Sequence, residues 1–97
     1  ILSELARRPN VWIKLSGADR LTKCGYPYDD VAPFVEHLVD VSPKRLLWGS
    51  DWPHTGIFER NRMPDDAQLL DALVKFVPDV ELRCRILVDN PRALLHL

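Results

Sequence analysis

Leu46-Leu47-Trp48-Gly49-Ser50-Asp51-Trp52-Pro53-His54 is the stretch on which the reading of this chain turns. Three apolar residues run into Gly-Ser, then into an acid, an aromatic, a proline and a histidine. A short apolar run without alternation suits a strand buried on both faces, and such strands belong to parallel sheets. A strand of that kind ending in Gly-Ser-Asp delivers a carboxylate to the rim of a sheet.

Working outward, Val11-Trp12-Ile13-Lys14-Leu15 has the same β-branched and aromatic character and predicts a second buried strand, closed by Ser16-Gly17. The stretch from there to Pro27 reads as a loop. Asp29 and Asp30 precede Val31, Phe34, Val35, Leu38 and Val39, a helical spacing with acids at its N-terminus, and Pro43 stops it. Downstream, Pro64-Asp65-Asp66 opens a helix carrying Leu69, Leu70, Leu73, Val74 and Val77. Pro78-Asp79 starts another with Val80, Leu82, Ile86, Leu87 and Val88, and Asn90-Pro91 starts a last short turn. Ile1 to Arg8 is the striped end of a helix, closed by Pro9-Asn10.

The order is helix, strand, helix, strand, helix, helix. Strands separated by helices of this length pair in parallel through a right-handed crossover. No glycine-rich first turn accompanies them, so a dinucleotide-binding sheet is not indicated. Two doubly buried strands need neighbours that 97 residues do not contain. The predicted fold class is therefore α/β, with residues 1–97 as the last two βα units of a single (β/α)8 barrel of roughly 250 residues. The chain is expected to be the C-terminal part of that barrel.

Hydrophobic residues at 46%, charged residues at 28% and a formal net charge of -1 describe an ordinary globular segment. They supply no electrostatic case for nucleic acid or for an anionic membrane. No apolar run approaches the roughly 20 residues that span a bilayer. The two cysteines, Cys24 and Cys84, form no CxxC and have no histidine nearby, which fits free thiols and a cytoplasmic setting.

Barrel chemistry sits at the C-terminal ends of the strands and in the loops after them. The first strand is followed there by Ser16, Asp19, Arg20 and Lys23, then Tyr26 and Tyr28; the second by Ser50, Asp51, Trp52 and His54. The next loop adds Glu59, Arg60, Asn61 and Arg62. Asp51, walled by Trp48 and Trp52, is placed to take a proton from water or bind a cation, with partial desolvation raising its basicity. The alternative is a turn cap, for which Ser-Asp before Trp-Pro is suitable chemistry. Arg20 is placed to clamp a carboxylate bidentately, or to pair with Asp19 or Asp29. His54, three residues past Asp51, is either a donor to substrate in the same pocket or a structural histidine. His37 and His96 read as surface residues, as do Arg7, Arg8, Arg83, Arg85 and Arg92. Asp51 would supply at most one ligand, so a metal site cannot be assembled from this sequence alone.

Lys14-Leu15-Ser16-Gly17, Arg45 to His54, and Val88-Asp89-Asn90-Pro91-Arg92-Ala93-Leu94-Leu95 together resemble the C-terminal part of the amidohydrolase superfamily. Ser16-Gly17-Ala18-Asp19-Arg20 and Met63-Pro64-Asp65-Asp66 narrow the likeness to its lactone-hydrolysing branch, the 2-pyrone-4,6-dicarboxylate lactonases in particular. The resemblance implies that Asp51 matches the water-activating acid at the end of the eighth strand. Arg20 matches an arginine that grips a substrate carboxylate, and His54 is similar to a histidine lining the pocket. It also implies that the family's His-x-His would lie before Ile1. The expected activity is hydrolysis of the cyclic ester of a small anionic substrate by Asp-activated water, with no nucleic-acid or membrane partner and no cofactor. Other branches use a divalent metal, zinc or manganese, with the Asp51 carboxylate as a ligand. A metal-dependent decarboxylase or sugar lactonase is thus the alternative, beside a truncated, non-catalytic segment.

Overall fold

The computed structural model describes residues 2–57 and 63–96. Glu59, Arg60, Asn61 and Arg62, named above as candidate loop chemistry, lie outside the described residues. Helix α1 spans Leu2–Ala6 and strand β1 Ile13–Leu15; a four-residue helix α2 covers Ala18–Leu21. A 3-10 turn at Asp29–Val31 leads into α3, Ala32–Val41, and then into strand β2, Leu46–Trp48. Helices α4 (Asp66–Phe76), α5 (Val80–Cys84) and α6 (Asn90–Leu95) complete the order.

β1 and β2 pair in parallel, with Ile13 opposite Leu46, Lys14 opposite Leu47 and Leu15 opposite Trp48. That is the βαβ pairing the two apolar runs predicted. The strands are three residues each, shorter than the runs, but the ladder continues at both ends. Ile13 N–H donates to the Arg45 carbonyl at 3.0 Å, and Gly49 N–H to the Leu15 carbonyl at 3.3 Å.

Burial on both faces is not what the pair shows. Side chains alternate across a strand; Ile13, Leu15, Leu46 and Trp48 share the face that joins the helical core, while Lys14 is exposed on the other. The core consists of Leu15, Val35, Leu38, Leu46, Leu69, Leu73, Phe76, Val77 and Ile86, among others. In α4, Leu69, Ala72, Leu73 and Phe76 recur at i, i+3, i+4 and i+7, which puts them on one stripe. Asp65 caps α4 by accepting from Ala67 N–H at 2.8 Å, and Asp79 caps α5 by accepting from Glu81 N–H at 2.9 Å.

Three side chains not singled out for structure hold these elements together. Arg45 donates to the Ala6 and Val11 carbonyls at 3.0 and 3.2 Å, tying the end of α1 to the start of β2. Buried Asn90 donates to the Pro43 and Leu46 carbonyls at 2.8 and 2.9 Å, docking α6 against β2. Arg83, expected on a solvated face, instead donates to the Val77 carbonyl at 3.2 Å, among the orphan carbonyls that end α4.

The break expected at Asn90-Pro91 is absent. The helix runs on through a π-helical turn, Arg85–Asp89, whose longer hydrogen-bond step accommodates a proline that has no N–H to give. Among the described residues, no helix is long and apolar enough to cross a membrane.

Candidate active site

Two loops leave the same edge of the parallel pair, one after β1 and one after β2. The first turns at Gly17, whose φ of 74° is left-handed and suits a residue without Cβ. That reversal starts α2, a helix the sequence reading took for loop, and Arg20 projects from it. The second loop turns at Asp51, with φ 67°, and again at His54, with φ 60°. Left-handed backbone is uncommon for residues other than glycine, although Asp and His tolerate it better than most.

The second loop is a pair of stacked turns. His54 N–H donates to the Asp51 carbonyl at 2.7 Å, and Ile57 N–H donates to the His54 carbonyl at 3.2 Å. Ser50 Oγ accepts from Trp52 N–H at 3.3 Å.

The two loops meet through Arg20. Its Nε donates to Asp51 Oδ2 at 2.9 Å and its Nη2 to the Thr55 carbonyl at 2.6 Å. The guanidinium therefore bridges the acid and the turn behind it. Arg20 and Asp51 side chains remain 42% and 37% exposed, so the pair is open to a ligand from solution. Among the described residues, neither Asp19 nor Asp29, the partners that the non-catalytic alternative predicts, pairs with Arg20. Asp29 instead meets Lys75 at 2.6 Å on the surface. The expected walls also differ: Trp48 packs against the core, and Trp52 is 74% exposed.

His54 belongs to the same turn as Asp51. Its ring is 2% exposed, and Nε2 lies 2.7 Å from Asp66 Oδ1 at the start of α4. Nδ1 is buried without a hydrogen-bond partner among the described residues. His37 is at the surface as expected, and there it hydrogen-bonds Ser3 Oγ at 2.7 Å, joining α3 to α1.

Of the two tyrosines left undecided, Tyr28 is buried and Tyr26 exposed, their rings edge to face with centroids 5.7 Å apart. Burial, with the charges of Asp19, Tyr26 and Asp65 behind it, pushes the Tyr28 hydroxyl above its ordinary value. The loop carrying these tyrosines is held by Asp30. Its carboxylate accepts from Thr22 Oγ1 at 2.6 Å and Lys23 N–H at 2.7 Å, and those bonds hold it below the usual carboxylate range.

Gly49 matters sterically. A Cβ there would collide with Lys14 Cε and lie 3.0 Å from Lys14 Nζ, so the glycine makes room for a lysine crossing from β1. Cys24 and Cys84 are exposed free thiols.

Among the described residues, no group of three or more His, Cys, Asp or Glu is arranged to hold a metal ion. Asp51 is the one acid at the strand edge with a bridging role, and its Oδ2 already accepts from a cation. These residues by themselves do not compose a metal centre.

Sequence and structure comparisons point one way. The family model described as amidohydrolase matches residues 1–97. A 4-sulfomuconolactone hydrolase from Rhizobium radiobacter is 58% identical over 94 residues, covering 97% of this chain and 31% of that protein. A 2-pyrone-4,6-dicarboxylate hydrolase from Comamonas testosteroni is 39% identical over 101 residues, covering 96% of this chain and 32% of that protein. An apo crystal structure of an Agrobacterium tumefaciens protein superposes with a TM-score of 0.86 at 38% identity, over 99% of this chain and 34% of that one. The chain thus spans about a third of the length of these relatives.

Proposed function

The chain belongs to the amidohydrolase family, and from that premise we propose that it forms the last two βα units of a (β/α)8 barrel in a lactone hydrolase acting on a small anionic substrate. The observation that carries the proposal is the Arg20–Asp51 bridge at the C-terminal edge of the parallel strands, where barrel enzymes keep their chemistry. Both relatives named above are hydrolases of acidic lactones by their names, one sulfonated and one a dicarboxylate.

Asp51 is the general base. Arg20 occupies Oδ2, and no described residue donates to Oδ1, which leaves that oxygen to accept a proton from water. The water oxygen attacks the ring carbonyl carbon; the tetrahedral intermediate then collapses with cleavage of the ring C–O bond. The proton taken by Asp51 returns to the departing oxygen, so lactone plus water becomes an open-chain acid. General-base assistance of this kind contributes about a hundredfold to ten-thousandfold in rate.

Arg20 is the anion clamp. Two of its five N–H groups are committed to Asp51 and the Thr55 carbonyl, and the others, which meet no partner among the described residues, can bind a carboxylate or sulfonate. The same guanidinium therefore orients the base and holds the substrate, which puts the reacting water between them. A left-handed Asp51 is in keeping with this, because backbone strain of that kind concentrates where a side chain must be aimed.

The test is hydrolysis by the full polypeptide carrying this segment, followed by ultraviolet absorbance on 2-pyrone-4,6-dicarboxylate and by proton release on a neutral sugar lactone, each with and without a chelator. Opening of the dicarboxylate regardless of chelator is expected. Opening of the neutral lactone alone overturns the anion clamp, and loss of all activity on chelation turns the assignment toward the metal-dependent branch.

A further inference from the structure

The buried ring of His54 is hung from a rigid element rather than from its own loop, and the hook is Asp66. We infer that Asp66 is a positioning residue of the proposed lactonase site: by accepting a hydrogen bond from His54 Nε2, it fixes the tautomer and place of that ring, and through it the turn that carries Asp51. The inference rests on the proposed function for its kinetic consequence, but not for its structural one.

The chain of contacts is short. Asp66 Oδ1 stands 2.7 Å from His54 Nε2, a distance typical of a bond to a charged acceptor. A carboxylate only accepts, so Nε2 carries a proton, and in the neutral ring Nδ1 presents its lone pair. That arrangement suits the surroundings: Nδ1 is buried with no partner among the described residues, and an orphaned N–H there would be the costlier choice. Directly above the ring, the His54 backbone N–H donates to the Asp51 carbonyl at 2.7 Å. A shift of the imidazole therefore moves the Asp51 peptide, and with it the 2.9 Å bond to Arg20.

Asp66 is available for this task because its neighbour performs the other one. Asp65 is the residue that caps α4, with its side chain on Ala67 N–H. Asp66 is the first residue of the helix proper, anchored through Leu69, Leu73 and Phe76 in the core. The two left-handed residues make this loop a strained one, and the helix gives it an anchor outside its own turns.

Two substitutions separate this role from a generic preference for acids at helix N-termini. Asp66→Asn and Asp66→Ala both remove the charge, but the amide oxygen of Asn still accepts from Nε2. In the full polypeptide, Asp66→Asn should keep the nitrogen-15 spectrum of a His54 ring protonated at Nε2, and a kcat on 2-pyrone-4,6-dicarboxylate within about threefold of the parent. Asp66→Ala should show a mixture of tautomers and lose about tenfold in kcat with little change in KM, as expected when a reacting group drifts from its productive place. Alanine is a strong helix former at an exposed first-turn position, so the fold should persist. An Asp66→Ala spectrum indistinguishable from the parent's, or equal kinetic losses in both variants, overturns the inference. If the parent opens no lactone at all, the proposed function falls, and the His54 spectrum alone still decides what Asp66 does.

Discussion

Arg20 Nε donates to Asp51 Oδ2 at 2.9 Å, joining two residues that leave adjacent strands 31 positions apart. The acid alone would be a turn residue and the arginine alone a surface cation. Together, with the Thr55 carbonyl as a third point, they make one rigid group with a free carboxylate oxygen and free N–H donors.

That geometry predicts how Arg20 variants behave. Hydrogen bonds to charged groups contribute about 1.5–3 kcal/mol, so Arg20→Met should raise KM for a dicarboxylated lactone by about tenfold or more. Arg20→Lys should recover only part of this, because an ammonium lacks the planar fork that reaches Asp51 and Thr55 at once. Steady-state kinetics on the full polypeptide checks both. An unchanged KM in Arg20→Met removes Arg20 from the clamp.

Gly49 and Lys14 should be energetically coupled. Gly49→Ala places a methyl against Lys14 Cε, but the end of that exposed side chain can swing aside, so the penalty should stay within about 0.5 kcal/mol. In a Lys14→Ala background the three contacts with Lys14 Cε, Nζ and Cδ are gone, so the penalty should vanish. A double-mutant cycle by denaturant unfolding reads the difference. Equal penalties in both backgrounds would show that the lysine is not what excludes a side chain at Gly49.

Much of this architecture was legible beforehand, for identifiable reasons. Unalternating apolar runs announced parallel strands, and Pro64-Asp65-Asp66 and Pro78-Asp79 announced helix starts, because those signals are local. The position of Asp51 just past a strand end was legible because a strand end followed by Gly-Ser-Asp is also local. The identity of Arg20's partner was not, since it depends on which residues the strand register brings to one edge. Helix α2 escaped because Gly17 supports it through a left-handed turn rather than through an apolar stripe. Asp66 looked identical to Asp65 as a helix opener; only the loop that folds back over 12 residues sets it on His54.

Asp30 yields a prediction in pH. Its folded value is depressed below the ordinary 3.8, chiefly by the Lys23 N–H and then by the Thr22 hydroxyl. A depressed carboxylate stabilises the fold at pH values above its unfolded value, and this contribution is lost as pH falls through the folded one. The melting temperature of Asp30→Asn should therefore sit below the parent's at neutral pH, with the gap narrowing once pH drops under 3.8. Because Asp30 is only partly buried, the gap should be modest and should shrink in high salt. A gap that widens in acid would contradict the hydrogen-bond assignment.

The account stands most directly on Asp51 as the base. Asp51→Asn keeps the side chain's shape and its bond to Arg20 through the amide oxygen, but removes the group that takes the proton. In the full polypeptide, single-turnover hydrolysis of 2-pyrone-4,6-dicarboxylate should slow by at least about a hundredfold, with the thermal melt unchanged. A folded Asp51→Asn protein that opens the ring at close to the parental rate would contradict the account.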